Sequence, residues 1–119
     1  MPINQQFGNV SLGALTVDTQ DVTGAGATTN VSPSVGVVLV DTATAGETLV
    51  LSNNANPGQT VTIVQTVGAN NTVVSEATGT TILGATVSLT HDAVGEWSTL
   101  VFISVTLGWA VVGTSATVA

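Results

Sequence analysis

The sequence predicts an all-β protein: an antiparallel β-sandwich, jelly-roll or barrel-like, with an extended N-terminal arm. Three observations point there. Threonine and valine, which suit a pleated and half-buried surface, are prominent throughout the 119 residues. Surface helix formers are scarce, with no Lys or Arg at all, which removes the usual material of a helical protein. Finally, about eight short segments with a two-residue apolar period recur at roughly 8- to 12-residue spacing, separated by Gly, Asn and Pro. A chain of this length makes one domain with a modest core.

Residues 1–34 are weakly patterned. Phe7, Val10, Leu12, Leu15 and Val17 are apolar beads on a polar string, followed by a Gly-Ala-Gly-Ala-Thr-Thr-Asn run ending near Ser32-Pro33-Ser34, where proline interrupts any ladder. Such a segment reads either as an arm that orders in the groove of a partner or as edge strands of the same domain. From Val35 the pattern sharpens: Val35, Val37 and Leu39 alternate with Gly36, Val38 and Val40, a strand apolar on both faces and therefore interior. Strands are expected over 48–52 and 60–67, joined by the turn-forming Asn53-Asn54-Ala55-Asn56-Pro57-Gly58. Shorter ones follow over 72–75, 81–83 and 86–90, and His91 to Glu96 forms a polar loop.

The most definite element is a β-hairpin over 97–113, which holds both tryptophans. Val101, Ile103 and Val105 alternate with Phe102, Ser104 and Thr106; Gly108 supplies the turn; and Trp109-Ala110-Val111-Val112 resumes the strand. Val101, Ile103, Trp109 and Val111 are its expected core or interface positions. Residues 114–119 read as a free tail, so the domain itself is expected over 35–113.

Charge narrows the partners. Seven carboxylates and no basic side chain give a formal net charge of −7. Nucleic acid is excluded as a direct partner, since phosphate neutralisation needs cations, and attraction to anionic membrane is excluded for the same reason. No cysteine means no disulfide, thiolate metal site or Cys nucleophile. The N-terminal stretch has neither the basic nor the apolar region of an export signal, and no apolar run approaches the ~20 residues of a membrane span. The expectation is a soluble protein made in the cytoplasm.

Candidate chemistry is sparse. His91, Asp92 and Glu96 form one titratable cluster with metal-ligand residue types, but a solvated loop at a strand end gives the same letters, and a second His is lacking. Asp18 and Asp21 lack the oxygen density of a calcium loop, and turn formation accounts for them. Asn9-Val10-Ser11, Asn30-Val31-Ser32 and Asn70-Asn71-Thr72 match the glycosylation triplet, which a chain rich in Asn, Ser and Thr produces by coincidence. Trp109, in an alternating strand, is expected to be buried, whereas Trp97 borders the loop and could stack on a sugar. No cofactor, metal site or catalytic set is expected, so the protein is not read as an enzyme.

From Ala45 onward the motifs form a series: Ala-Gly-Glu-Thr-Leu-Val-Leu, Pro-Gly-Gln-Thr-Val-Thr-Ile, Thr-Gly-Thr-Thr-Ile-Leu-Gly, Ser-Leu-Thr, and Trp-Ala-Val-Val-Gly at 109–113. This series resembles a small all-β module of tailed-bacteriophage virions, found in capsid decoration (cement) proteins, head fibres and tail fibres. The resemblance implies a homotrimer on the outer capsid surface that binds the major capsid protein and stabilises the shell. In that setting Phe7, Val10, Leu12, Leu15 and Val17 would be the capsid-binding arm. The residues before Ala45 do not match, so docking is not carried over. Two alternatives stand beside it: a fibre or self-polymerising extracellular filament using N-terminal strand addition, and a carbohydrate-binding module.

Overall fold

The computed structural model describes residues 17–77, 82 and 87–118. Among these there is no helix, and ten strands form two five-stranded sheets packed together. They are β1 (Thr19–Thr23), β2 (Ala27–Asn30), β3 (Val37–Asp41), β4 (Glu47–Leu51), β5 (Thr60–Val67), β6 (Thr72–Glu76), β7 (Leu89–His91), β8 (Trp97–Ser104), β9 (Gly108–Thr114) and β10 (Thr117–Val118). The first sheet runs β1-β3-β5-β8-β9 and the second β10-β7-β6-β4-β2.

The all-β expectation holds, but the antiparallel jelly-roll does not. Four of the eight strand pairings are parallel: β1 with β3, β3 with β5, β2 with β4, and β4 with β6. The chain alternates between the sheets, so each circuit lays one strand on each. A circuit advances 18 and then 25 residues in the first sheet, and 20 and then 25 in the second. Parallel neighbours need a long crossover, and here the crossover is a strand of the opposite sheet. A period-two pattern says which face is buried but nothing about the direction of the neighbour, which is why the direction was misread. The antiparallel strands β7 to β10 then close the stack.

Two boundaries also move. Residues 19–30, expected within the arm, are the edge strands β1 and β2, so the folded unit begins well before residue 35. The C-terminal tail is tied down, since Thr117 and Val118 pair with Thr90 and Leu89. Of the segments expected over 81–83 and 86–90, the described part is Ile82, which bridges Trp109, and the start of β7 at Leu89. The rest lies outside the described residues.

The core lies between the sheets. Val38, Val40, Ile63, Leu100 and Phe102 from the first meet Leu49, Leu51, Val74 and Leu89 from the second, all essentially without solvent contact. Trp109 closes one end, meeting Phe102 edge-on at 5.3 Å between ring centroids and donating from its indole Nε1 to the Ser52 carbonyl at 3.0 Å. That bond spares a large apolar ring the cost of burying an unpaired donor. Gly108, at φ +73°, takes the left-handed turn conformation that starts β9.

Successive circuits press closely at the corner between sheets. A Cβ on Gly46 would lie 2.7 Å from the Asn71 carbonyl of the next circuit, and one on Gly24 would collide with the Ala45 carbonyl. These glycines let the turns stack at strand spacing.

Candidate functional site

Two features of the described residues offer chemistry: polar groups pinned inside the corners, and an apolar outer face.

At the first corner Glu47 points inward and reaches back one circuit. Its Oε1 accepts from the Ala25 and Ala27 amides at 3.2 and 3.0 Å, and its Oε2 accepts from the Thr29 hydroxyl. The Thr29 bond, with help from the two amides and against partial desolvation, holds its pKa below the ordinary 4.5. The carboxylate is therefore charged and saturated, a clamp between circuits. One circuit on, Thr42 Oγ1 lies 2.7 Å from both the Val67 and Asn70 carbonyls, and Asn70 Nδ2 donates to the Thr42 carbonyl at 2.8 Å.

The His91 group is also structural. Thr114 Oγ1 donates to the Trp97 carbonyl at 3.1 Å and therefore accepts from Ser98 Oγ at 2.7 Å. Ser98 in turn accepts from His91 Nε2 at 2.9 Å. The imidazole is neutral with its proton on Nε2, and Nδ1 is buried without a partner. Burial lowers the His91 pKa below 6.5, outweighing the pull of the Glu96 carboxylate. With the serine giving its proton to a threonine rather than to the histidine, and solvent reaching neither, this pair is no nucleophile.

Glu96 turns outward and accepts from the Asp92 and Ala93 amides, chiefly the former, which lowers its pKa. The expected His91, Asp92 and Glu96 cluster is thus split across the sheet surface, and no group of three metal-ligating residues exists among the described residues. Asp18 and Asp21 are both exposed.

The apolar face lies on the outside of the first sheet. Alternation puts Ser98, Leu100 and Phe102 of β8 inside, so Trp97, Val101 and Ile103 point out. The hairpin's inner set is therefore the opposite one from that expected: Ile103 is 40% exposed and Val101 half-buried, while Trp109 is buried and Val111 packs against the core as expected. Register places Val37 and Leu39 of β3 and Val64 of β5 on the same outer face, with Leu39 level with Val64 and Val64 level with Trp97. The Trp97 ring leans over Gly113, where a Cβ would come within 3.0 Å of Cη2. Val105 and Leu107 extend the apolar surface into the hairpin turn, 60% and 53% exposed. Carboxylates stay at the rim, as Asp21 on β1 and Asp41 at the end of β3. The outer face of the second sheet is different: Thr28, Thr48, Ser75 and Thr90 share it with Val50 and Val73.

Of the expected arm residues, Val17 is exposed and packs over Gly36; Phe7, Val10, Leu12 and Leu15 lie outside the described residues. Sequence reasoning missed Glu47, Gln20, Thr42 and Asn70 as inter-circuit pins. The available signal was the echo of Val22-Thr23-Gly24-Ala25 in Val40-Asp41-Thr42-Ala43 and Val67-Gly68-Ala69.

Compared with known proteins, the chain matches no protein-family model and no curated protein. The phage-module resemblance therefore rests on the motifs from Ala45 to Gly113.

Proposed function

We propose that this chain is a non-enzymatic structural subunit of a tailed-phage virion, a homotrimeric decoration protein that binds the major capsid protein on the outer shell surface. The observation that carries the reading is the apolar outer face of the first sheet, in a molecule with seven carboxylates and no cation. Identical copies of so acidic a chain repel one another wherever charge meets charge. A charge-poor apolar face is the surface on which they can meet, and apolar burial there contributes about 25 cal/mol per Å2. The protruding Val105 and Leu107 supply apolar contact to the shell. The buried, misdirected Ser98 and His91 pair and the divided acidic cluster favour a non-enzymatic role.

Light scattering on the purified protein tests self-association. A discrete trimer that falls to monomer in the W97D/I103D variant, with an unchanged β-sheet spectrum, and persists in the T48D/S75D variant, is the expected result. A monomeric wild type, or a W97D/I103D trimer, sinks the reading. The filament alternative draws on the open edges of β1 and β2, each of which pairs on one side among the described residues; it predicts open polymers that grow with concentration. The carbohydrate alternative loses Trp109, which is buried, and keeps Trp97.

A further inference from the structure

We propose that residues 5–12 of this same chain add a parallel strand to the open edge of β2, beginning a further circuit in which Val10-Ser11 stacks on Val31-Ser32. This goes beyond the virion reading and does not depend on it.

The edge itself comes first. The Val31 amide donates to the Val50 carbonyl at 2.9 Å, so the peptide groups of residue 31 face β4, and those of Asn30 and Ser32 face away from the sheet. In a parallel pair each residue bonds to the carbonyl before and the amide after its opposite number. A residue laid opposite Val31 would donate to the Asn30 carbonyl and accept from the Ser32 amide. Those two bonds are made by a side chain: Gln20 Nε2 donates to the Asn30 carbonyl at 3.1 Å, and Gln20 Oε1 accepts from the Ser32 amide at 3.0 Å. The glutamine amide occupies the place of one peptide unit of an absent neighbour.

The sequence supplies that neighbour. Val31-Ser32 is level with Leu51-Ser52, and an apolar-Ser step recurs at Val10-Ser11, 21 residues before Val31 as Val31 is 20 before Leu51. The triplets Asn9-Val10-Ser11 and Asn30-Val31-Ser32, which mimic glycosylation sites, are on this view one position of the circuit seen twice. The connection has a fitting length: nine residues take Val10 to Thr19, between the six from Val31 to Val37 and the eleven from Leu51 to Thr62, which are level positions of the first sheet. The entry into β1 has the right course, because the Asp18 carbonyl accepts from the Gly36 and Val37 amides and Val17 lies on Gly36. The chain thus reaches Thr19 already stacked on the corner that follows β2. Val10 takes over both bonds and releases the Gln20 amide.

The test exploits the absence of native cysteine. In the full-length S11C/S32C variant, adjacent in-register strands place the two Cα atoms about 4.8 Å apart, within disulfide reach. Mild oxidation should give an intramolecular disulfide in most molecules by non-reducing peptide mapping, and the S11C/S75C control should give none. In the unmodified protein the Asn30 amide, which the new strand covers, should exchange with deuterium at least tenfold more slowly than the Thr19 and Asp21 amides on the other open edge. If the variant fails to fold, the exchange comparison decides. A disulfide formed only between copies, no disulfide in folded protein, or an Asn30 amide as fast as Thr19 overturns the proposal and leaves the segment as the docking arm read from the sequence. The oligomer test above is blind to this outcome, so either idea can fail alone.

Discussion

The coiled part of the molecule, β1 to β6, and the closing part, β7 to β10, share two sheets but are held by different physics. The coil repeats small residues, Val22, Val38, Val40, Ile63 and Val74 inside, and ties one circuit to the next with hydrogen bonds from Glu47, Thr42, Asn70 and Gln20. The closing part concentrates bulk: Leu89, Leu100, Phe102 and Trp109 cap the interior, and its hairpin also carries the exposed Trp97, Ile103, Val105 and Leu107. The coil's hold is thus directional and partly ionic, the cap's is apolar and without direction. A stack of parallel circuits leaves peptide groups facing along its axis that packing cannot satisfy, and polar pins answer that need. An antiparallel hairpin satisfies its own ladder and is free to specialise in burial.

The largest expected effect is in the cap. Phe102→Ala should remove about 3–5 kcal/mol of stability, as deletion of a buried aromatic ring does. Ile103→Ala, one residue on, should cost no more than about 1 kcal/mol, in keeping with a surface position. Urea unfolding of both variants checks the pair. Equal costs would mean that β8 presents its other face to the core and would dissolve the distinction between an apolar interior and an apolar docking face.

The coil's counterpart is Glu47→Gln. The shape is kept, but a charge-assisted set of bonds becomes neutral and Thr29 loses its carboxylate acceptor, at a cost of about 1–2 kcal/mol at pH 7. Because the folded pKa of Glu47 is depressed, its contribution is fully present above the unfolded value near 4.5 and is lost as pH falls through the folded value. Wild type should therefore lose its advantage over E47Q as acid is added. A constant gap between the two denaturation midpoints from pH 7 to pH 3 would show that Glu47 does not clamp the circuits as an anion.

How much of each part was legible follows from the same contrast. The hairpin announces itself, because Gly108 and the alternation on either side are local signals. Its inner face was misassigned since β8 is apolar on both sides: Leu100 and Phe102 look no more buried on paper than Val101 and Ile103, and only the partner sheet decides. The strands of the coil were legible one by one, with β5 matching its expected span. Their parallel stacking was not, because circuits of 18 to 25 residues blur the repeat, and the pins that mark it are single polar residues in unlike contexts. Glu47 and Gln20 are ordinary surface letters until the neighbouring circuit is in place. The candidate metal cluster failed for a related reason: adjacency in a loop does not survive when the strand turns His91 inward and Glu96 outward.

The smallest expected effect lies where the two parts meet, at His91, which caps β7 and faces Thr72 of the coil. Its folded pKa is depressed by burial, so the unfolded chain takes up the proton first as pH falls. Stability is unaffected above the unfolded value near 6.5 and declines below it until the folded histidine also protonates. That window lies above the one set by Glu47, so the two can be separated in one titration of unfolding free energy. His91→Gln should cost about 0.5–1.5 kcal/mol at pH 7 through imperfect replacement of the bond to Ser98, and should flatten the slope between pH 6.5 and 5 while leaving the lower, Glu47-dependent fall intact. A slope that persists in H91Q would transfer the upper window to the carboxylates and remove the imidazole from the acid response. If it disappears, the acid lability of the cap traces to one buried neutral ring, and that of the coil to one buried charge.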